Sequence, residues 1–177
     1  MDKIRYGIIG CGSMGREHIE NLRAMGGAAV TAVADPTPAS REQAGALLDG
    51  DVKLFEDHAD LLGSGLCDAV VIASPNFTHI TVMRDALATD LHILVEKPLV
   101  TKVADGVEML ERARNKRKGI VWVAQEYRYM PPVAEAIRIV HEGGVGRVHQ
   151  VAIREHREPF YPKVGDWNRF NANTGGM

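Results

Sequence analysis

The 177-residue chain predicts an α/β fold built on a doubly wound parallel sheet. Three observations lead there. Strand-like and helix-like segments alternate, the pattern of parallel strands joined by right-handed crossovers. The turn Gly10-Cys11-Gly12-Ser13-Met14-Gly15 lies between an apolar strand and an amphipathic helix. An acid, Asp35, closes the next strand 20 residues past the last of those glycines.

Each element follows from local pattern. Residues 4–9 form the first apolar strand, and Met14, His18, Leu22 and Met25 recur at helical spacing until Gly26-Gly27 ends the stripe. Residues 30–34 are strand-like, 36–48 read as a helix, 52–55 as a short strand, and 59–62 as a helical turn before Gly63. Residues 69–73 are apolar throughout, as expected of a strand covered on both faces, and Ser74-Pro75-Asn76 breaks the run. Ile80, Met83 and Leu87 mark the next helix, 93–95 the next strand, and Val103, Val107 and Leu110 the helix beyond, with Thr101 as its N-cap. Residues 120–124 complete the sheet. Past it come a helix (Val133, Ile137, Val140), a break at Gly143-Gly144 and a strand over 148–153. The expected organisation is a first domain over 1–124 and the start of a second α/β domain over 125–177.

In such a strand-turn-helix the glycines do separate work. One turns the chain sharply, one lets backbone approach a pyrophosphate, and one lets the helix pack on the strand. The first helical amides and the positive end of the helix dipole favour phosphate. An acid at position 35 is where a ribose-binding carboxylate belongs, so the pattern predicts a dinucleotide pocket of the Rossmann kind in which Gly10, Gly12, Gly15 and Asp35 take part. A bare glycine pattern is also compatible with an ordinary packing turn, and methyltransferases too place an acid after the second strand. Their glycine turn usually follows another pattern. Asp35 can accept both ribose hydroxyls and would repel a 2′-phosphate, which favours NAD over NADP; Thr37 and Arg41 lie close enough in sequence to oppose that preference.

Composition sets further bounds. The chain is 45% hydrophobic and 25% charged with a formal net charge of −2, as in a soluble domain, and no apolar run is long enough to span a bilayer. No signal-peptide pattern precedes the first strand, so the cytoplasm is the expected compartment. Cys11 and Cys67 are too few for a zinc cage and read as small apolar fillers in a reducing environment; no metal site is expected. Near-neutral charge and 6% aromatics argue against a nucleic-acid surface.

Ligands of an open parallel sheet gather beyond the carboxyl ends of its strands. Three ends stand out: Ser74-Pro75-Asn76, Glu96-Lys97-Pro98 and Gln125-Glu126-Tyr127-Arg128. Ser-Pro-Asn is also a good turn and cap, and His79 is equally a packing residue or a functional one. A lysine at the crevice mouth, Lys97, can donate to a substrate oxygen or take part in proton transfer, whereas the bland reading is a Glu96/Lys97 surface pair worth little.

These motifs, with Asp35-Pro36, His79, Tyr127-Arg128 and the tail Asp166-Trp167-Asn168-Arg169 followed by Gly175-Gly176, resemble the Gfo/Idh/MocA family of NAD(P)-dependent oxidoreductases, which act mostly on sugars, inositols and related polyols. The resemblance implies that Lys97 is the active-site lysine. It implies cofactor contacts for Ser13, Met14, Ser74, Asn76, His79, Glu96 and Gln125, besides the glycine turn and Asp35. It also places Arg128, Trp167 and Arg169 near the nicotinamide or substrate. The implied reaction is reversible hydride transfer between a hydroxyl-bearing carbon of a sugar or polyol and the cofactor.

Members of that family run to about twice this length, continue past Gly-Gly into a helix bearing a histidine and an aspartate, and build a homo-oligomer through a second domain. The chain is therefore expected to be a fragment that binds cofactor without efficient turnover, since losing a general base costs about 10²–10⁴ in rate. A non-catalytic NAD-binding module or redox sensor is the alternative from another class. Lys97 with Trp167 and Arg169 favours the enzyme, and the Asp-Trp-Asn-Arg tail speaks against an amino-acid or dihydrodipicolinate-type reductase.

Overall fold

Six parallel strands make one sheet in the order β3-β2-β1-β4-β5-β6, with helices on both faces. The computed structural model describes residues 3–116, 118–156 and 162–176. The strands are β1 (Ile4–Ile9), β2 (Ala28–Ala34), β3 (Lys53–Phe55), β4 (Ala69–Ile72), β5 (His92–Glu96) and β6 (Val121–Ala124). Between them run α1 (Ser13–Ala24), α2 (Pro38–Gly45), α3 (His58–Gly63), α4 (His79–Ala86) and α5 (Val103–Lys116). The doubly wound parallel fold expected from the sequence is the fold observed.

Both faces of the sheet are buried. Successive residues of a strand point to opposite faces, so Ile8, Val33 and Val71 join Ile19, Leu22 and Ala44 under α1 and α2. Their neighbours Ile9, Val70, Ile72 and Val95 join Leu61, Val82, Met83 and Met109 under α3, α4 and α5. At about 25 cal/mol per Å² of apolar area, this double burial holds the helices onto both faces of the sheet. The chain reverses direction across the sheet between β1 and β4, which pair in register from Tyr6–Ala69 to Ile9–Ile72. That is the switch point at which a crevice opens beyond the strand ends.

Two sequence expectations are corrected. Thr101 is not the N-cap of α5: the Gly106 N–H donates to Lys102 O at 3.1 Å, so the helix opens one residue later. Residues 148–153 form no strand. Their alternation of apolar residues is a local signal, and a strand also needs a neighbour to take up its N–H and C=O groups.

Met1–Ala124 together with Trp167–Met177 forms one compact unit, and Gln125–Asp166 forms a second. The second carries a 3-10 turn, Glu126–Tyr129, and α6, Pro131–His141, which Pro131 and Pro132 open at positions where a missing N–H costs nothing. Arg138 braces that helix through Glu135 at 2.6 Å and through Glu142, and Tyr127 Oη donates to Glu155 Oε1 at 2.8 Å. In the first unit α7 (Asn171–Thr174) follows Trp167. Among the described residues no helix is long and apolar enough to cross a membrane, and no cluster of His, Cys, Asp or Glu has the makings of a metal site.

Candidate functional site

The turn after β1 shows the three glycine requirements separately. Gly10 has φ +93°, and a Cβ there would lie 2.4 Å from the Ser74 nitrogen, so this position brings the turn against the end of β4. At Gly15 a Cβ would lie 1.9 Å from Gly10 O, which is what lets α1 close onto the turn. Gly12 is the cap residue of α1, and a Cβ there meets nothing within 4 Å. The empty side of the turn is therefore the outward one, where backbone can approach a pyrophosphate at a helix start. Ser13 and Met14 are exposed in that first helical turn, and Arg16 Nη1 donates back to Cys11 O at 2.9 Å.

Asp35 stands at the end of β2 with its carboxylate fixed by backbone. The Cys11 N–H donates to Oδ2 at 2.7 Å and the Thr37 N–H to Oδ1 at 2.8 Å. An ionised carboxylate has about four acceptor sites, so two remain for the two hydroxyls of a ribose. Arg41 Nη1 donates to the Asp35 carbonyl. Cys11 itself is fully buried beside this carboxylate. Burial first and the Asp35 charge second push its thiol up to about 12, which leaves it protonated and inert.

The turns after β4 and β5 meet this one. Thr78 Oγ1 lies 2.7 Å from both Ser74 Oγ and Pro75 O, shaping the Ser-Pro-Asn segment into a 3-10 turn, Asn76–Thr78. Asn76 Nδ2 donates to Thr174 O at 3.4 Å, and the Trp167 ring packs edge-on to Phe77 at 6.4 Å, so the tail lies on the same turn. Arg169 is exposed in that tail.

Glu96 ends β5 and turns inward, only 8% exposed. Its Oε1 lies 2.8 Å from His18 Nε2 on α1, and Oε2 accepts the Lys97 N–H at 3.2 Å. Burial raises its carboxyl, but the His18 hydrogen bond and charge, with the Lys97 N–H and charge, outweigh burial and leave it below its ordinary 4.5. A folded-state value below the unfolded one contributes stability that is present above the unfolded value and lost as pH falls through the folded value. Glu96→Gln is therefore expected to lower Tm at neutral pH and to flatten the fall in Tm below about pH 4.5, where wild type begins to lose this contribution. An acid limb unchanged by the substitution, followed by melting from pH 3 to 7, would count against this account.

Lys97 is exposed directly after Glu96, at the crevice end of the sheet. His79 is 0% exposed, with Nδ1 2.8 Å from Pro98 O and Nε2 2.9 Å from Ser74 O. Gln125 and Arg128 lie in the second unit, at and within its 3-10 turn. Sequence reasoning missed His18 as a site residue, placing it in the packing stripe of α1; its spacing of three from Gly15 was the available signal. It also missed Phe77 and Thr174, which hold the tail to the turn after β4.

The Gfo/Idh/MocA family model, described as an oxidoreductase family with an NAD-binding Rossmann fold, matches residues 4–125. An inositol 2-dehydrogenase of Rubrobacter xylanophilus is 34% identical over 146 residues, covering 82% of this chain and 42% of that protein. An inositol 2-dehydrogenase of Saccharopolyspora erythraea is 31% identical, covering 82% of this chain and 43% of its own length. Among solved structures, myo-inositol dehydrogenase from Lactobacillus casei in complex with NAD(H) and myo-inositol superposes with a TM-score of 0.77 at 30% identity, over 81% of this chain and 43% of that one. The chain spans about half the length of the curated relatives it matches.

Proposed function

Because the chain belongs to the Gfo/Idh/MocA oxidoreductase family, we propose that it is the dinucleotide-binding part of a dehydrogenase that moves hydride between NAD and a hydroxyl-bearing carbon of an inositol, sugar or related polyol. The observation that carries this reading is the outward, unfilled face at Gly12 beside the backbone-held carboxylate of Asp35. Gly10, Gly12 and Gly15, with Ser13 and Met14 at the start of α1, would hold the pyrophosphate, Asp35 the adenosine ribose, and Ser74 and Asn76 the nicotinamide end. When bound, the nicotinamide supplies hydride acceptance and donation. Lys97 supplies an N–H donor and a proton carrier for the reacting hydroxyl, and Glu96, held by His18, fixes the turn from which Lys97 projects. Trp167 and Arg169 flank the nicotinamide or substrate from the tail. Residues 125–177 belong to a substrate and oligomerisation domain, and the whole protein assembles as a homo-oligomer. The unpaired thiols of Cys11 and Cys67 suit a reducing, cytoplasmic setting.

Titration of the chain with NADH, followed by calorimetry and by nicotinamide fluorescence, is expected to give a Kd between about 1 µM and 1 mM, the usual span of enzyme KM values. NADPH is expected to bind more weakly. No binding of either nucleotide by a folded sample would overturn the reading, and tighter NADPH binding would overturn the preference for NAD.

A further inference from the structure

We infer that His79 is a positioning residue that joins the two strand-end turns of the site, setting the Lys97 turn through Pro98 O and the Ser74 turn through Ser74 O. The imidazole is fully buried at the start of α4, yet both ring nitrogens lie within hydrogen-bond distance of backbone carbonyls, at 2.8 and 2.9 Å. A carbonyl oxygen has no proton to give, so each bond needs its N–H on the ring, and both stand together only in the doubly protonated imidazolium, because a neutral ring carries a single N–H. An apolar side chain of similar volume would fill the space but would fix neither turn. The two carbonyls belong to the residues after β4 and β5, 24 positions apart, and one ring spans them. Lys97 precedes Pro98 directly, so a tether on Pro98 O limits where the lysine projects. Ser74 heads the turn that holds Asn76, so a tether on Ser74 O limits the nicotinamide side. A reacting group needs its support locked to within roughly half an ångström. This role deepens the proposed dehydrogenase reading and rests on it for the meaning of Lys97 and Ser74.

The two bonds can be separated by substitution. The asparagine amide nitrogen is attached to Cγ, as histidine Nδ1 is, and the glutamine amide nitrogen sits one atom further out, as Nε2 does. His79→Asn keeps a donor for Pro98 O, and His79→Gln keeps one for Ser74 O. Two readouts on the 177-residue chain follow: the rate at which trace acetic anhydride modifies Lys97, resolved by peptide mass spectrometry, and the Kd for NADH. His79→Asn is expected to leave Lys97 modification within about twofold of wild type and to weaken NADH binding about fivefold or more. His79→Gln is expected to show the reverse. A packing role alone would move both readouts together, in the order of side-chain volume; that result, or no movement in either variant when both melt cooperatively, overturns the inference. If neither variant folds, wild type decides by NMR. Two slowly exchanging His79 ring N–H groups, one with Overhauser contacts to residues flanking Pro98 and the other to residues flanking Ser74, uphold the bridge, and a single ring N–H or contacts to one turn alone overturn it. Failure of wild type to bind NADH would instead remove the functional reading, while the Lys97 arm would still test the tether.

Discussion

Gly15→Ala is expected to cost the protein both nucleotide binding and several degrees of melting temperature, whereas Gly12→Ala is expected to cost binding alone. The difference lies in what each new methyl group meets. At Gly15 the Cβ falls 1.9 Å from Gly10 O and 3.0 Å from Gly10 C, both backbone atoms that cannot rotate away. Helix α1 must move off the turn, and overpacking of this kind costs about 1–3 kcal/mol. For a chain of this size that corresponds to a fall in Tm of roughly 3–10 °C. The same movement displaces the first-turn amides from the phosphates, and an ångström of misplacement at a preorganised site is worth about a hundredfold. At Gly12 the backbone, with φ −68° and ψ −164°, suits any residue, and the methyl meets no protein atom. The gain from restricting the unfolded chain, about 0.4–1 kcal/mol, and the small loss of a glycine cap nearly cancel. The methyl instead occupies the approach to the pyrophosphate, so NADH affinity should fall at least about tenfold, or 1.4 kcal/mol, with Tm within a few degrees of wild type. Calorimetry and thermal melts on the two variants check both halves. Equal Tm losses would mean that Gly12 is a packing glycine, and wild-type affinity in Gly12→Ala would mean that the turn faces no ligand.

How far the site is legible in the sequence depends on the range of the interaction that makes it. The strands, α1 and the glycine turn are local: the runs at 4–9 and 69–73 and the stripe from Met14 to Met25 encode their own burial, and the observed elements fall on them. Asp35 was legible because its distance from Gly15 is set by one helix and one strand of ordinary length. The helix read over 36–48 is shorter, Pro38–Gly45, because Thr37 donates its N–H to Asp35 and α2 opens only at Pro38. The tethers are another matter. Glu96 meets His18 across 78 residues, and His79 meets Pro98 across 19, so neither contact has a spacing that betrays it. His18 sat in an apolar helical stripe that packing explained, and His79 read equally as a packing or a functional residue. The expected strand at 148–153 fails for the converse reason: its alternation is local, but a strand exists only with a partner.

Removing the Asp35 carboxylate is expected to weaken NADH binding about 10- to 150-fold, the equivalent of the 1.5–3 kcal/mol typical of hydrogen bonds to a charged group. The same carboxylate also accepts the Cys11 and Thr37 N–H groups, so Asp35→Ala strips two backbone donors of their acceptor as well as the ribose of its partner. Affinity for NADH alone cannot divide these effects; the ratio of NADH to NADPH affinity can. A loosened turn disturbs the pyrophosphate that both nucleotides share and lowers both affinities by the same factor. Loss of the ribose contact lowers NADH alone, and loss of the charge relieves repulsion of a 2′-phosphate and raises NADPH, with Arg41 already bonded to the Asp35 carbonyl. Asp35→Ser keeps one short acceptor for the turn and should therefore hold the ratio change of Asp35→Ala while recovering part of the lost Tm. If both variants weaken the two nucleotides in parallel, Asp35 acts only as a brace for the glycine turn, and the preference for NAD arises elsewhere.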